Sequence, residues 1–298
     1  MTATSPIDVG VVDHALTHSA ACVERAGARS WRVALQNGKR VDALATLSGP
    51  WFTLAAPLYP PVVASPWQLL ALNRALPGGV RFTLSPRGHA PVLCVDTWLG
   101  SEHDDDSQRV ADACAALLGS VSIFANGDTC ASDVAASTGL TTMNDSAASM
   151  CPVPADHLHE GLAWAYTRLD DGRLRFDLDV RNDRYHALVG GDACGLSCDV
   201  ELVSKPTLST VSRQATSVAL LTSGCALRLA RATSTSDLST DRVAFQVRLP
   251  RSANAADIDL ALEALMAGCE QLGREVRALT DSTLATSYLA VVMPHQPT

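Results

Sequence analysis

The chain has 298 residues, of which 47% are hydrophobic and 18% charged, with a formal net charge of −8. This length suits two domains of ordinary size, and this composition can bury a core in each, which excludes a disordered chain. The negative charge excludes a binder of the nucleic-acid backbone, which needs a basic face, and no apolar run approaches the roughly 20 residues of a membrane span.

Residues 1–6 carry no basic stretch or apolar run, so no signal peptide is expected. Over residues 7–25, Val9, Val12, Leu16, Ser19 and Val23 fall on one stripe at helical spacing, which predicts an amphipathic helix stopped by Gly27. Trp31, Val33 and Leu35 alternate with Arg32 and Ala34 and predict a strand. Asn37-Gly38 is a hairpin turn, because both residues accept positive φ. A return strand follows through Leu47, then a turn at Ser48-Gly49-Pro50 and a third strand from Trp51 to Ala55. Pro57, Pro60 and Pro61 lead to an apolar helix from Trp67 that stops at Pro77-Gly78-Gly79. Two strands come next, 80–84 and 92–98, and then a helix carrying Val110, Cys114 and Leu117.

Residues 125–155, rich in Ser, Thr, Ala and Asp, read as the linker, with a short helix expected over 128–136. Beyond it the order of elements returns. Residues 156–168 are expected to be an opening helix, with Leu158, Leu162 and Ala165 on one face. Leu174 to Val180 alternates without an error and predicts a half-buried strand. Turns at Asn182-Asp183 and at Gly190-Gly191-Asp192 set off two further strands, and Pro206 precedes the middle helix. A strand is expected at 226–230 and another at 243–249. The long helix has Ile258, Leu262, Leu265, Cys269, Leu272 and Val276 at spacings of 4, 3, 4, 3 and 4, with Asn254 as its cap. Residues 281–290 look helical. Two tandem similar α+β domains follow, 1–124 and 156–298, each an antiparallel sheet of about five strands packed by helices. Two unrelated α+β domains are the alternative.

Nine cysteines, an odd and scattered set, fit buried thiols in a reducing compartment, so a cytoplasmic protein is expected. His14 and His18 have a spacing that can hold a metal, yet they lie opposite the apolar stripe, where a solvated face is the simpler reading. His157 and His159 fall on nearly opposite helix faces. His103 with Asp104, Asp105 and Asp106 could attract a hard cation, or be acidic because a helix N-terminus follows. Cys194 and Cys198 lack a zinc or redox spacing, and the Gly190–Gly195 run lacks the Lys-Ser/Thr of a phosphate loop. No catalytic residue, metal or cofactor is therefore expected. The aromatics stand out instead: Trp51, Phe52, Trp67 and Trp98 are the candidate binding residues. Trp51 and Phe52, adjacent on a strand, must point to opposite faces. Trp31 and Phe52 are expected in the core.

The elements at 7–25, 31–55, 66–76, 80–98 and 107–121, and again at 156–168, 174–202, 208–221, 226–249 and 255–276, resemble the type III secretion chaperones and the related YbjN-like domains. The resemblance is one of topology. It implies a non-catalytic module that holds an extended segment of a partner protein, with two copies on one chain forming an internal pseudo-dimer joined by the middle helices. The expected partner is a protein or peptide, basic or amphipathic to suit the acidic chain, with no nucleic acid and no membrane. The chain would be monomeric in mass, or part of a higher oligomer. The alternative is an enzyme, or an accessory subunit of a biosynthetic complex, with a site between the halves.

Overall fold

Apolar–polar alternation writes several of the strands directly, Trp51–Pro57 and Leu174–Val180 among them. In the computed structural model, burial along Leu174–Val180 alternates residue by residue, as its sequence requires. The structure describes residues 7–37, 39–58, 64–76, 78–85, 90–100, 106–124, 161–192, 195–206, 208–236, 240–249 and 253–293. The linker 125–155, the short helix expected over 128–136, His103 with Asp104 and Asp105, and the histidines at 157 and 159 lie outside those residues.

The elements run in chain order as α1 (Val9–Ser19), β1 (Cys22–Gly27), β2 (Ser30–Asn37), β3 (Lys39–Ser48), β4 (Trp51–Pro57), α2 (Pro66–Ala75), β5 (Val80–Leu84), β6 (Pro91–Trp98) and α3 (Asp106–Phe124). They continue as β7 (Tyr166–Arg168), β8 (Leu174–Val180), β9 (Asp183–Asp192), β10 (Gly195–Lys205), α4 (Thr210–Ser223), a 3-10 turn (Gly224–Ala226), β11 (Arg231–Ser236), β12 (Asp241–Leu249), α5 (Ala255–Ala278) and α6 (Ser282–Val292). Two antiparallel sheets of six strands result, ordered β1-β2-β3-β4-β6-β5 and β7-β8-β9-β10-β12-β11. The fold is therefore α+β, and the two sheets share one strand order. Among the described residues no helix is long and apolar enough to cross a membrane.

Each sheet has six strands rather than about five, and the additional strand lies where sequence periodicity suggested helix. In the first half the helix ends at Ser19, and Ala20 is extended at φ −123° and ψ 151°. Val23, assigned to the helical stripe, instead pairs with Val33 across β1 and β2. In the second half, Gly161 takes φ 108°, a conformation outside a helix, and Tyr166 to Arg168 pair with β8. Each segment finds its backbone partners on the adjacent strand, β2 or β8. The strand expected at 226–230 is also displaced. Arg228 has φ 53°, which interrupts an extended run, and pairing starts at Arg231. The glycines at 190 and 191 sit inside β9, opposite Ser197 and Leu196, rather than in a turn.

The chain divides into two compact units, one of residues 1–63 and 79–130, the other of residues 64–78 and 131–298. In the first, α3 packs against α1 and against β4 and β6. Trp31, Leu35, Phe52, Leu54 and Phe82 of the sheet join Val12 and Leu16 of α1 and Val110 and Leu117 of α3 in the core. In the second, α5 packs on β8, β10 and β12, and α6 docks on α4 through Ala285. Asn254 accepts from the Asp257 N–H, so the cap expected from sequence is present. Two glycines let α5 approach the sheet. A Cβ at Gly268 would lie 3.2 Å from the Phe245 ring, and one at Gly273 would lie 2.2 Å from the Tyr185 hydroxyl.

The helix α2 comes from the first half of the sequence but belongs to the second unit. Its capping box pairs Ser65 with Gln68, and Pro66 opens it. It packs along β11 and against α4. The Asn73 amide donates to Ala232 O at 3.0 Å, and Ser234 Oγ donates to Trp67 O at 3.2 Å. Arg231, buried in β11, donates to Leu76 O at 2.7 Å, just beyond the end of α2.

Candidate functional site

Strand pleating decides which aromatics meet. Gly49, at φ 59°, turns β3 into β4, so Ser48 pairs with Trp51. The Leu99 N–H donates to Pro50 O at 2.8 Å, and Arg109 of α3 donates to Trp98 O at 3.0 Å. These bonds pin the end of β6 beside the start of β4, and Trp51 and Trp98 become cross-strand partners. Their rings meet edge to face, with centroids 4.9 Å apart and planes at 86°. Such a pair contributes about 0.5–1.5 kcal/mol beyond its area.

Both indoles are partly exposed and share the outer face of the first sheet with Thr46, Thr53, Ala55 and Leu44. Leu44 is 46% exposed and was not singled out from sequence. The only signal for it was a period of two placing it on the same face as Asp42, opposite Ala43 and Ala45. Phe52 points the other way and is fully buried, as its neighbour's outward position requires. Trp31 is buried too, and its indole N–H donates to Asp13 of α1. Trp67 belongs to the second unit. There its Nε1 donates to Ser236 Oγ at 3.2 Å, and the Arg213 guanidinium lies 5.6 Å from its ring centroid. The structure thus brings together two of the four candidate residues, Trp51 and Trp98.

Next to the tryptophans lies a buried ion pair. Arg81 of β5 binds Asp96 of β6, with side chains 1% and 0% exposed, and Thr53 donates to the same carboxylate. This cluster occupies the same outer face as Trp51 and fixes the strands that carry it.

The titratable groups elsewhere have structural explanations. Burial pushes the Cys114 and Cys269 thiols up to about 12 and raises that of Cys198 as well. Such thiols stay protonated and inert at neutral pH. Among the described cysteines Cys22 is exposed and Cys94, Cys114, Cys198 and Cys269 are buried. Burial would raise the Asp241 carboxyl, but bonds from Ser236, Leu208 N and Arg213 outweigh it and hold it low. Among the described residues no group of three or more His, Cys, Asp and Glu side chains is placed to hold a metal ion. Asp106 serves locally, accepting from Gly100 N at 2.7 Å.

No protein-family model matches the chain, and no curated protein matches it.

Proposed function

We propose that the chain is a non-catalytic module that holds an extended, basic segment of a partner protein, in the manner of the type III secretion chaperones and YbjN-like domains it resembles. The observation that carries this reading is the outer face of the first sheet. Trp51, Trp98, Leu44 and Ala55 form an apolar patch on β3, β4 and β6, bordered by the exposed Arg32 and Asp42. Aromatic anchors of this kind supply most of the binding energy at protein interfaces. A pleated face offers pockets at every second residue of an extended ligand. The strands β1 and β7 lie at sheet edges and expose most of their residues. Glu24, Arg25 and a bulge at Arg25–Gly27 blunt β1, and β7 is only three residues long. The face is therefore a better seat than the edges at β1 and β7. The net charge of −8 favours a basic segment and speeds encounter at low salt. The reading places a monomeric chain in the cytoplasm, where its cysteines stay reduced.

The test is fluorescence anisotropy with labelled, unstructured peptides of alternating apolar and polar residues, prepared in basic and acidic versions. The basic peptide should bind, and the joint substitution of Trp51→Ala and Trp98→Ala should weaken it about tenfold or more. Arg184→Gln, on the outer face of the second sheet, should leave affinity unchanged. Failure of both peptides to bind, or equal binding by the tryptophan variant, rejects the proposal.

A further inference from the structure

We propose that His14 and His18 form a two-imidazole clasp for a divalent transition-metal ion, with Cu2+ preferred. The two residues stand four apart on α1, one above the other on the same face. Both are exposed, and they lie away from the buried stripe of Val12, Ala15 and Leu16. Their ring centroids are 4.2 Å apart. Spacing alone is weak, since many exposed histidine pairs are only solvated. The structure adds a constraint on the proton. His18 Nδ1 lies 2.8 Å from the His14 carbonyl oxygen. A carbonyl can only accept, so Nδ1 carries the hydrogen, and the neutral ring presents the bare lone pair of Nε2 outward. Tying the far nitrogen to a backbone carbonyl is how metal-binding histidines are held in tautomer and orientation.

Two imidazoles at i and i+4 then grip one ion from a single helical turn, as in zinc sites that place two histidines on one helix face. No further described His, Cys, Asp or Glu lies close enough to complete a set of three. The remaining coordination positions therefore go to water or to an outside donor, which makes the site open and exchangeable rather than a closed structural one. For nitrogen ligands the order of affinity is Cu2+ above Ni2+, and Cu2+ above Zn2+. The described His186 is engaged differently, its Nδ1 lying 2.8 Å from Asp177 Oδ1.

The experiment titrates the full chain with CuCl2, NiCl2 and ZnCl2 by calorimetry, and records the electron paramagnetic resonance spectrum at one equivalent of Cu2+. The expected result is tightest binding of Cu2+, with two imidazole nitrogens in its spectrum. His14→Gln and His18→Gln should each weaken binding about tenfold or more. Circular dichroism checks that each variant keeps its helix. A spectrum from the unaltered chain with fewer than two imidazole nitrogens overturns the proposal without recourse to a variant. So does Cu2+ binding by the doubly substituted chain that matches the unaltered one.

Discussion

The two sheets share one strand order but differ on their outer faces. With the buried arginines Arg81 and Arg231 set equivalent, the pairing registers match Cys94 with Gln246, Ala55 with Asp199, Thr53 with Ser197 and Trp51 with Gly195. In the first sheet the arginine is held by a carboxylate, Asp96. In the second it is held by the amide oxygen of Gln246, at 2.8 and 3.1 Å, and by Leu76 O just beyond α2. Gln246 passes the chain of bonds on to Ser197 and Asp199 at 3.0 and 2.8 Å. Further out, both sheets carry exposed ion pairs, Arg40 with Asp42 and Arg32 with Glu24 in the first, Arg184 with Asp179 and His186 with Asp177 in the second, and the first adds the tryptophans. The same backbone thus carries a tryptophan pair at one end of β4 and β6 in one copy, where the matching position of the other, Gly195, has no side chain. Topology sets where a side chain points, and the residue placed there sets what the face can bind.

The comparison breaks most visibly at the arginines. Asp96→Ala leaves Arg81 buried without its counter-charge and should cost about 3–5 kcal/mol in urea unfolding. A loss under about 1 kcal/mol would show that the ion pair is not what holds β5 to β6. Removing Gln246 with an alanine should cost less, about 1–3 kcal/mol, because Arg231 keeps its carbonyl acceptors.

Asp241 gives the second sheet a pH dependence. Its folded pKa is depressed, so its contribution is fully present above the unfolded value near 4 and is lost as pH falls through the folded value. Asp241→Asn should lower stability at pH 7 by about 1.5–3 kcal/mol, since charge-assisted bonds to Arg213 and Leu208 N weaken. It should also flatten the acid side of the stability curve below about pH 4. An acid limb as steep as in the unaltered protein would place the titrating group elsewhere.

Two surface changes sharpen the contrast between the faces. Trp98→Ala should cost about 1–3 kcal/mol in stability, the edge-to-face pair together with the apolar area of a partly buried ring. A much larger loss would mean that the tryptophans serve as core rather than as surface. The smallest effect is expected for Arg184→Gln, whose exposed pair with Asp179 should leave the unfolding midpoint where it is.

Much of this was legible in the sequence. Alternation at Leu174–Val180, the turn glycine at 49, the cap at Asn254 and the long stripe of α5 depend on contacts within a few residues, and they came through as read. So did the shared order of later strands and helices in the two halves, though not the helix expected to open the second, and the outward turn of Trp51 once Phe52 was placed in the core. What local pattern could not decide was how a short segment is used. Residues 22–27 and 166–168 become edge strands by hairpin pairing with β2 and β8, the next strands along the chain, which are themselves built into the sheets. Trp51 and Trp98, 47 positions apart, meet only through the register of β4 and β6. Leu44 joins them through the register of β3 and β4. The helix α2 lies in the first half by sequence and in the second unit by contact, because Asn73, Trp67 and Leu76 find their partners on β11. Local propensity and periodicity act over a few residues, whereas pairing register and helix docking are set by long-range contacts that only the folded chain makes.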